Sequence, residues 1–435
     1  MSMRTIDLRG QSLTAAELLA AVPRATEARA AALEAAAEIV HAVAHEGEAA
    51  LRDQAERFDR VTGHEIRVPQ SHIDEAVASL APEVRTALDE AIARVREGSA
   101  AQVPDPRVTD LAPGARVSQR WQPVGRAGVY VPGGKAVYPS SVIMNVVPAQ
   151  VAGVKRIALC SPPQAGFDGR VHPTILAVAG LLGVTEVYAI GGAGAIGALA
   201  HGVASLGLDP VDVVTGPGNN FVASAKRVVA GLVGTDSEAG ATEILIAADD
   251  TADARLVAYD LISQAEHDEQ ASAVLVTTSA GLAERVAAEV AELAPKTRHA
   301  GRVAVALAGE QSAIVLVDDA AAMADFSNAY GPEHLELHVA DAREAADDYT
   351  NAGALFVGSA TPVSLGDYMA GSNHVLPTGG QSRYASGLGA YTFLRPQQVI
   401  EYDRDALAVV ADRIVALAES ESLPAHGEAV TARFK

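Results

Sequence analysis

The stretch "VTEVYAIGGAGAIGALA", residues 184–200, decides the fold class. Glu186–Ile190 is a short, mostly apolar run of strand length. Gly191 and Gly192 interrupt it, and Ala, Ile and Leu then recur at helical spacing. A strand that ends in a glycine turn and passes into a helix is half of a βαβ unit. The same alternation extends outward on both sides. Apolar runs at 156–160, 186–190, 211–215 and 243–248 are separated by helical stretches at 142–152, 173–182, 194–201 and 218–231. That punctuation implies a parallel sheet with helices on its faces. It resumes with strands at 272–278, 313–317, 335–339 and 354–357 and helices near 252–266, 281–293 and 341–350. The expected class is therefore α/β, with two tandem Rossmann-like modules that meet at the seam "TDSEAGAT", 235–242.

The flanks differ. Residues 25–58 read as one long Ala-rich helix with Leu33, Ile39, Val40 and Val43 on one side, and a second helix runs near 82–97. Residues 106–131 are strand-like, and 358–400 are rich in Gly, Ser, Pro and Tyr and read as loops. In the tail, Leu407, Val410, Ile414 and Leu417 form one apolar stripe suited to a partner subunit.

A chain of 435 residues is too long for one ordinary domain. Its 49% hydrophobic and 20% charged composition is that of a folded protein. With 33 basic against 54 acidic residues the formal charge is −21, which argues against nucleic acid and anionic membrane as partners. The one cysteine, Cys160, permits no intrachain disulfide and reads as a buried strand residue. The start "MSMRTIDLRG" lacks the apolar core of a signal peptide, and no apolar run is long enough to span a bilayer. The expected location is the cytoplasm.

Three glycine loops follow strands: "VYVPGGKA" (129–136), "GGAGAIGALA" (191–200) and "VVTGPGNNFV" (213–222). All would lie at the carboxyl edge of a parallel sheet, where backbone N–H groups can meet a phosphate. Gly192, Gly194 and Gly197 satisfy G-x-G-x-x-G. The fingerprint also needs an acid closing the next strand, whereas Asp212 opens its strand. A plain strand–helix turn explains that loop as well as phosphate binding does.

Several short stretches pair titratable groups. In "NAYGPEHLEL" (328–337), Glu333 and His334 follow a Gly-Pro turn and precede a strand, where both can face one cleft. In "DLISQAEHDE" (260–269), Gln264 and His267 share one helix face at chelating spacing, a pattern more often surface than site. "VSLGDYMAGSNHVLPTGG" (363–380) carries Asp367 and His374 in a long loop, for which function outweighs a turn-forming role. "ESESLPAHGEAV" (419–430) carries Glu421 and His426, by default a solvated tail. With thiolates excluded, Gln264, His267, Asp367 and His426 would make an N/O set suited to zinc or manganese, though spacing alone does not bring them together.

Taken with "RWQPVGRAGVYVPGG", "GPGNNFV" and "AGATEILI", these motifs stand in an order that resembles the histidinol dehydrogenase family, from about residue 5 to about residue 430. The resemblance implies a homodimer that oxidises L-histidinol through histidinal to L-histidine with two NAD and one zinc per site. It implies zinc ligands Gln264, His267, Asp367 and, from the partner subunit, His426, with Glu421 beside it. These residues with Thr242, His334 and His374 would contact substrate; Glu333 and His334 would be the catalytic pair. Tyr130, Gly194 and Asn219 match NAD-contacting positions. Many members have Gln where this chain has Gly194, so that side-chain contact is lost or replaced.

The resemblance also divides the chain. Residues 1–21 would pack with the tail. Residues 22–128 and 241–385 would form a first α/β module carrying the zinc and catalytic residues, 129–240 the NAD module, and 386–435 a tail domain reaching the partner. The helical terminal segments would serve dimerisation. Rival readings are a dehydrogenase of the same family for another small alcohol, a metal-dependent hydrolase and a binding protein; NADH formation from histidinol separates them.

Overall fold

Fourteen strands are found among the described residues, which in this computed structural model are 3–24, 29–133, 137–237 and 240–435. In chain order they are β1 (Arg4–Asp7), β2 (Arg107–Ala112), β3 (Ala115–Pro123), β4 (Arg126–Tyr130), β5 (Arg156–Ser161), β6 (Glu186–Ala189), β7 (Val213–Thr215), β8 (Gly234–Thr235), β9 (Glu243–Ala248), β10 (Ser272–Thr277), β11 (Ala313–Leu316), β12 (His334–His338), β13 (Ala354–Val357) and β14 (Leu394–Tyr402).

Two sheets are wholly parallel. One has the order β1-β11-β10-β9-β12-β13 and the other β6-β5-β4-β7-β8. Both α/β modules are therefore present. In the six-stranded sheet, β9 to β12 are buried at every residue. Alternate side chains go to opposite faces. Ile244, Ile246 and Leu275 meet Val257, Leu261 and Val286 on one side. Leu245, Val274 and Leu335 meet Met323, Phe326 and Tyr330 on the other. Burial on both faces explains why these strands read as continuous apolar runs. The five-stranded sheet packs Tyr130, Ala158 and Tyr188 with Val40, Val43 and Leu199, and Cys160 is buried there as expected.

Four expectations change. Residues Arg4–Asp7, expected in a helical terminal segment, form a strand that extends the six-stranded sheet by pairing with β11. The long N-terminal helix is Arg29–Glu46, then Glu48–Gln54 after a break at Gly47, then a wide π-turn over Ala55–Asp59. Its expected start at 25–28 lies outside the described residues, as do 134–136 of the first glycine loop and 238–239 of the seam. Within 358–400, a helix over Val363–Tyr368 and β14 replace part of the expected loop.

The fourth concerns 103–124, expected in the first module. The chain divides into one compact unit of Met1–Gln102 with Gly125–Phe393, and another of Val103–Val124 with Leu394–Lys435. β14 pairs with β3 along nine residues, antiparallel, and β2 pairs with β3. That pairing ties 103–124 to the tail. Helices Arg404–Ser420 and Pro424–Thr431 complete the smaller unit.

Candidate active site

The helix Ala320–Tyr330 stops at Gly331, whose φ of 58° lies in the left-handed region and lets the chain turn sharply. Pro332 prevents the helix from resuming. Glu333 and His334 therefore arrive together at the amino end of β12, beside the amino end of β9. Glu333 Oε2 accepts from Thr242 Oγ1 at 2.6 Å and from the Glu243 N–H at 2.9 Å. His334 Nδ1 lies 3.0 Å from the Glu243 carbonyl oxygen and 3.5 Å from Glu333 Oε2. A carbonyl can only accept, so Nδ1 carries the proton toward it. In the neutral ring Nε2 is then the basic atom, and it is buried without a hydrogen-bond partner. Burial pushes the Glu333 carboxyl up to about 7, against the pull of His334, Thr242 and the Glu243 N–H. Adjacent strand residues normally diverge; placement at the strand's first position keeps these two together.

Gln264, in the last turn of the helix Ala254–Ala265, is 2% exposed and donates from Nε2 to Thr242 Oγ1 at 2.6 Å. Thr242 thus accepts from Gln264 and donates to Glu333. His267 lies just past the same helix, with its N–H on the Gln264 carbonyl. Burial lowers the pKa of its imidazole, Asp367 opposes that, and His334 adds to it. Asp367, expected in a loop, stands on the helix Val363–Tyr368. His374 Nδ1 is 3.0 Å from the Asp367 carbonyl oxygen and 3.7 Å from its Oδ1, and Nε2 is 3.3 Å from Ser141 Oγ. Burial lowers the His374 pKa as well, opposed by Asp367 and reinforced by His334 and His267. Thr242, Gln264, His267, Glu333, His334, Asp367 and His374 therefore form one group, linked by hydrogen bonds or by charge. Glu421 and His426 belong to the smaller unit and are exposed there.

The donor set fits a zinc ion. A neutral imidazole is the ligating form, and burial holds His267 toward it. Asp367 supplies a carboxylate beside it. Gln264 uses its amide NH2 on Thr242, which leaves its oxygen for a cation. A second cluster, Asp260, Glu336 and His338, also has metal-type side chains within ligand reach of one another. It shares no residue with the first. His338 Nε2 is 3.3 Å from Glu336 Oε2, and Asp260 is pushed up to about 7 by burial and then by the Glu336 charge. Glu336 Oε2 and His338 Nδ1 are buried there without a hydrogen-bond partner.

Two residues missed in the sequence brace the corner. Arg24 Nε meets Glu243 Oε1 at 2.6 Å, and the Gly379 N–H donates to the same oxygen at 3.0 Å. Glu243 is 3% exposed, so its charge needs this partner. The signal was available in "TEILI", where an acid opens an otherwise apolar strand.

The glycine loops gather at the carboxyl edge of the five-stranded sheet. Tyr130 ends β4, and its hydroxyl accepts from the Gly192 N–H at 3.2 Å. A Cβ on Gly216 would lie 2.0 Å from the Tyr130 carbonyl oxygen, so only glycine permits that approach. Asn219 caps the helix Asn220–Val229, its Oδ1 accepting from the Phe221 and Val222 N–H groups. The Gly194 N–H donates to Gln54 Oε1 at 2.8 Å, and Gln54 Nε2 donates to the Gly191 carbonyl at 2.7 Å. Two N–H groups of this turn are thus already held by side chains.

The histidinol dehydrogenase family model matches residues 22–434. The chain belongs to the histidinol dehydrogenase family. It is 65% identical over 433 residues to the histidinol dehydrogenase of Leifsonia xyli subsp. xyli, covering 100% of this chain and 99% of that one. It is 56% identical over 429 residues to that of Thermobifida fusca, covering 99% and 97%. The crystal structure of histidinol dehydrogenase from Elizabethkingia anophelis superposes with a TM-score of 0.92 at 31% identity, covering 99% of this chain and 98% of that one. Family membership makes the chain an NAD-linked oxidoreductase, and zinc fits the family. Among the described residues no helix is long and apolar enough to cross a membrane.

Proposed function

We propose that the chain oxidises L-histidinol to L-histidine at the Glu333–His334 corner, in two NAD-linked steps with histidinal between them. The supporting observation is the His334 imidazole: Nδ1 is tied to a backbone carbonyl and lies beside the Glu333 carboxyl, which burial pushes up to about 7, and Nε2 is buried and unpartnered. His334 Nε2 takes the proton of the substrate hydroxyl as hydride leaves for the first NAD. Water then adds to the aldehyde, with Glu333 as its base, and hydride from the resulting diol reduces the second NAD. One alcohol, one water and two NAD yield one carboxylate, two NADH and three protons.

Gln264, His267, Asp367 and His426 of the partner subunit would hold the zinc. When bound there, zinc would supply a fixed charge that templates the substrate, and these residues would set where it sits. His374, Thr242 and Glu421 of the partner subunit would orient the substrate. Tyr130, Asn219 and the Gly194 turn would receive NAD. The division into a catalytic module, an NAD module and a dimerising tail follows the same reading. The tail offers apolar surface for that purpose, with Ile400 68%, Val409 70% and Leu417 64% exposed. A cytoplasmic location goes with this biosynthetic reading.

The role split has its own test. Glu333→Gln should slow oxidation of supplied histidinal by roughly a hundredfold or more, the usual weight of a positioned base, and slow histidinol oxidation far less. Equal losses in the two half-reactions would refute the split.

A further inference from the structure

The G-x-G-x-x-G turn lacks its acid. Asp212 stands at the opposite end of β7, where its Oδ2 accepts from the Arg126 N–H at 2.9 Å. A different acid occupies the glycine turn. Asp59 closes the π-turn Ala55–Asp59, and Arg60 after it adopts a left-handed conformation with φ 59°. π-Turns of this kind frequently mark functional positions. Asp59 Oδ1 lies 3.5 Å from where a Cβ on Gly191 would stand.

Gln54, at the end of the preceding helix, fastens this segment to the turn through Gly191 and Gly194. The Tyr130 phenol, which receives the Gly192 N–H, has its pKa raised chiefly by burial and further by the Asp59 charge. Asp59 Oδ2 is buried and has no hydrogen-bond partner. Burial alone pushes the carboxyl up to about 6. No cation pairs with it among the described residues. Asp59 Oδ2 thus keeps an acceptor position that no protein donor fills and that a ligand O–H can fill.

We propose that Asp59 is the acid that accepts hydrogen bonds from a ribose hydroxyl pair of the dinucleotide, in place of the strand-closing acid of the fingerprint. A vicinal diol offers two O–H donors to one carboxylate, the chemistry that acid performs in the ordinary fold. The residue comes from the N-terminal helical segment, so the usual sequence offset misses it. Gly194 takes part in the same arrangement. A Cβ there would lie 2.2 Å from Gln54 Oε1, so the Gln54 brace and a side chain at 194 exclude one another.

The inference rests on the NAD reading. On zinc-loaded full-length protein, Asp59→Asn should raise the Kd and KM for NAD by about tenfold or more, as expected for losing a hydrogen bond to a charged group. Histidinol binding should stay within about twofold, and Tm should not fall, because Asn keeps the side chain's size and removes a charge that burial disfavours. A gain in NADP binding would place the diol on the adenosine ribose. Proportional loss of NAD and NADP would place it on the nicotinamide ribose. Dinucleotides lacking the hydroxyls of one ribose or the other test the same point on the wild type: one of them should bind about tenfold more weakly than NAD. NAD affinity unchanged in both Asp59→Asn and Asp59→Ala would overturn the proposal, whatever the deoxy analogues do. If the wild type itself bound no NAD, the NAD reading would fall instead.

Discussion

Glu333 shows how burial converts an ordinary carboxyl into a usable base. Its ordinary value is 4.5, and burial in the fold pushes it up to about 7. Between those values the folded protein holds a proton that the unfolded chain has lost, so stability falls as pH rises across the window. Glu333→Gln removes this slope. In denaturant melts of metal-free protein, the variant's stability relative to wild type should improve from pH 5 to pH 8; a constant difference would contradict the assignment. The acid and base were legible in the sequence because a Gly-Pro turn set them at a strand's first residue. Arg24 was not, since its partner Glu243 lies 219 positions away and only the folded sheet joins them. Gln54 and Asp59 escaped notice for the same reason: nothing local in "RDQAERFD" points to a glycine turn that lies more than 130 residues later.

Strands and turns place these residues. β9 and β12 lie side by side, with His334 opposite Ile244, so the loops entering them share one edge. This is the amino edge of the six-stranded sheet, whereas the glycine loops use the carboxyl edge of the other. Gly331 is the turn on which the corner depends. A Cβ there would stand 3.0 Å from Ser382 Oγ and 3.3 Å from Arg383 Cγ, on a backbone with φ 58°. Gly331→Ala should cost about 1–2 kcal/mol from the left-handed backbone and lower activity by displacing Glu333 and His334. A variant with wild-type Tm and wild-type turnover would show that the turn tolerates a side chain. Parallel strands were legible because burial on both faces leaves unbroken apolar runs. The pairing of β14 with β3 was not, because β14 is almost wholly exposed, β3 is only half-buried, and both mix polar with apolar residues.

At the scale of the whole molecule, the larger unit carries ten of the twelve expected site residues, and the exposed tail carries His426 and Glu421. If the tail completes a partner's site, two defective subunits can repair each other. Heterodimers of His426→Ala with His334→Ala subunits should recover one intact site per heterodimer, about half the activity of a wild-type dimer, against near-inactive parents. No recovery in verified heterodimers would count against sharing. The central claim is that one corner performs both oxidations, and the most direct measurement is the number of NADH formed per L-histidinol consumed. The account predicts two, with histidine as the product. A value of one, with histidinal accumulating, would contradict it.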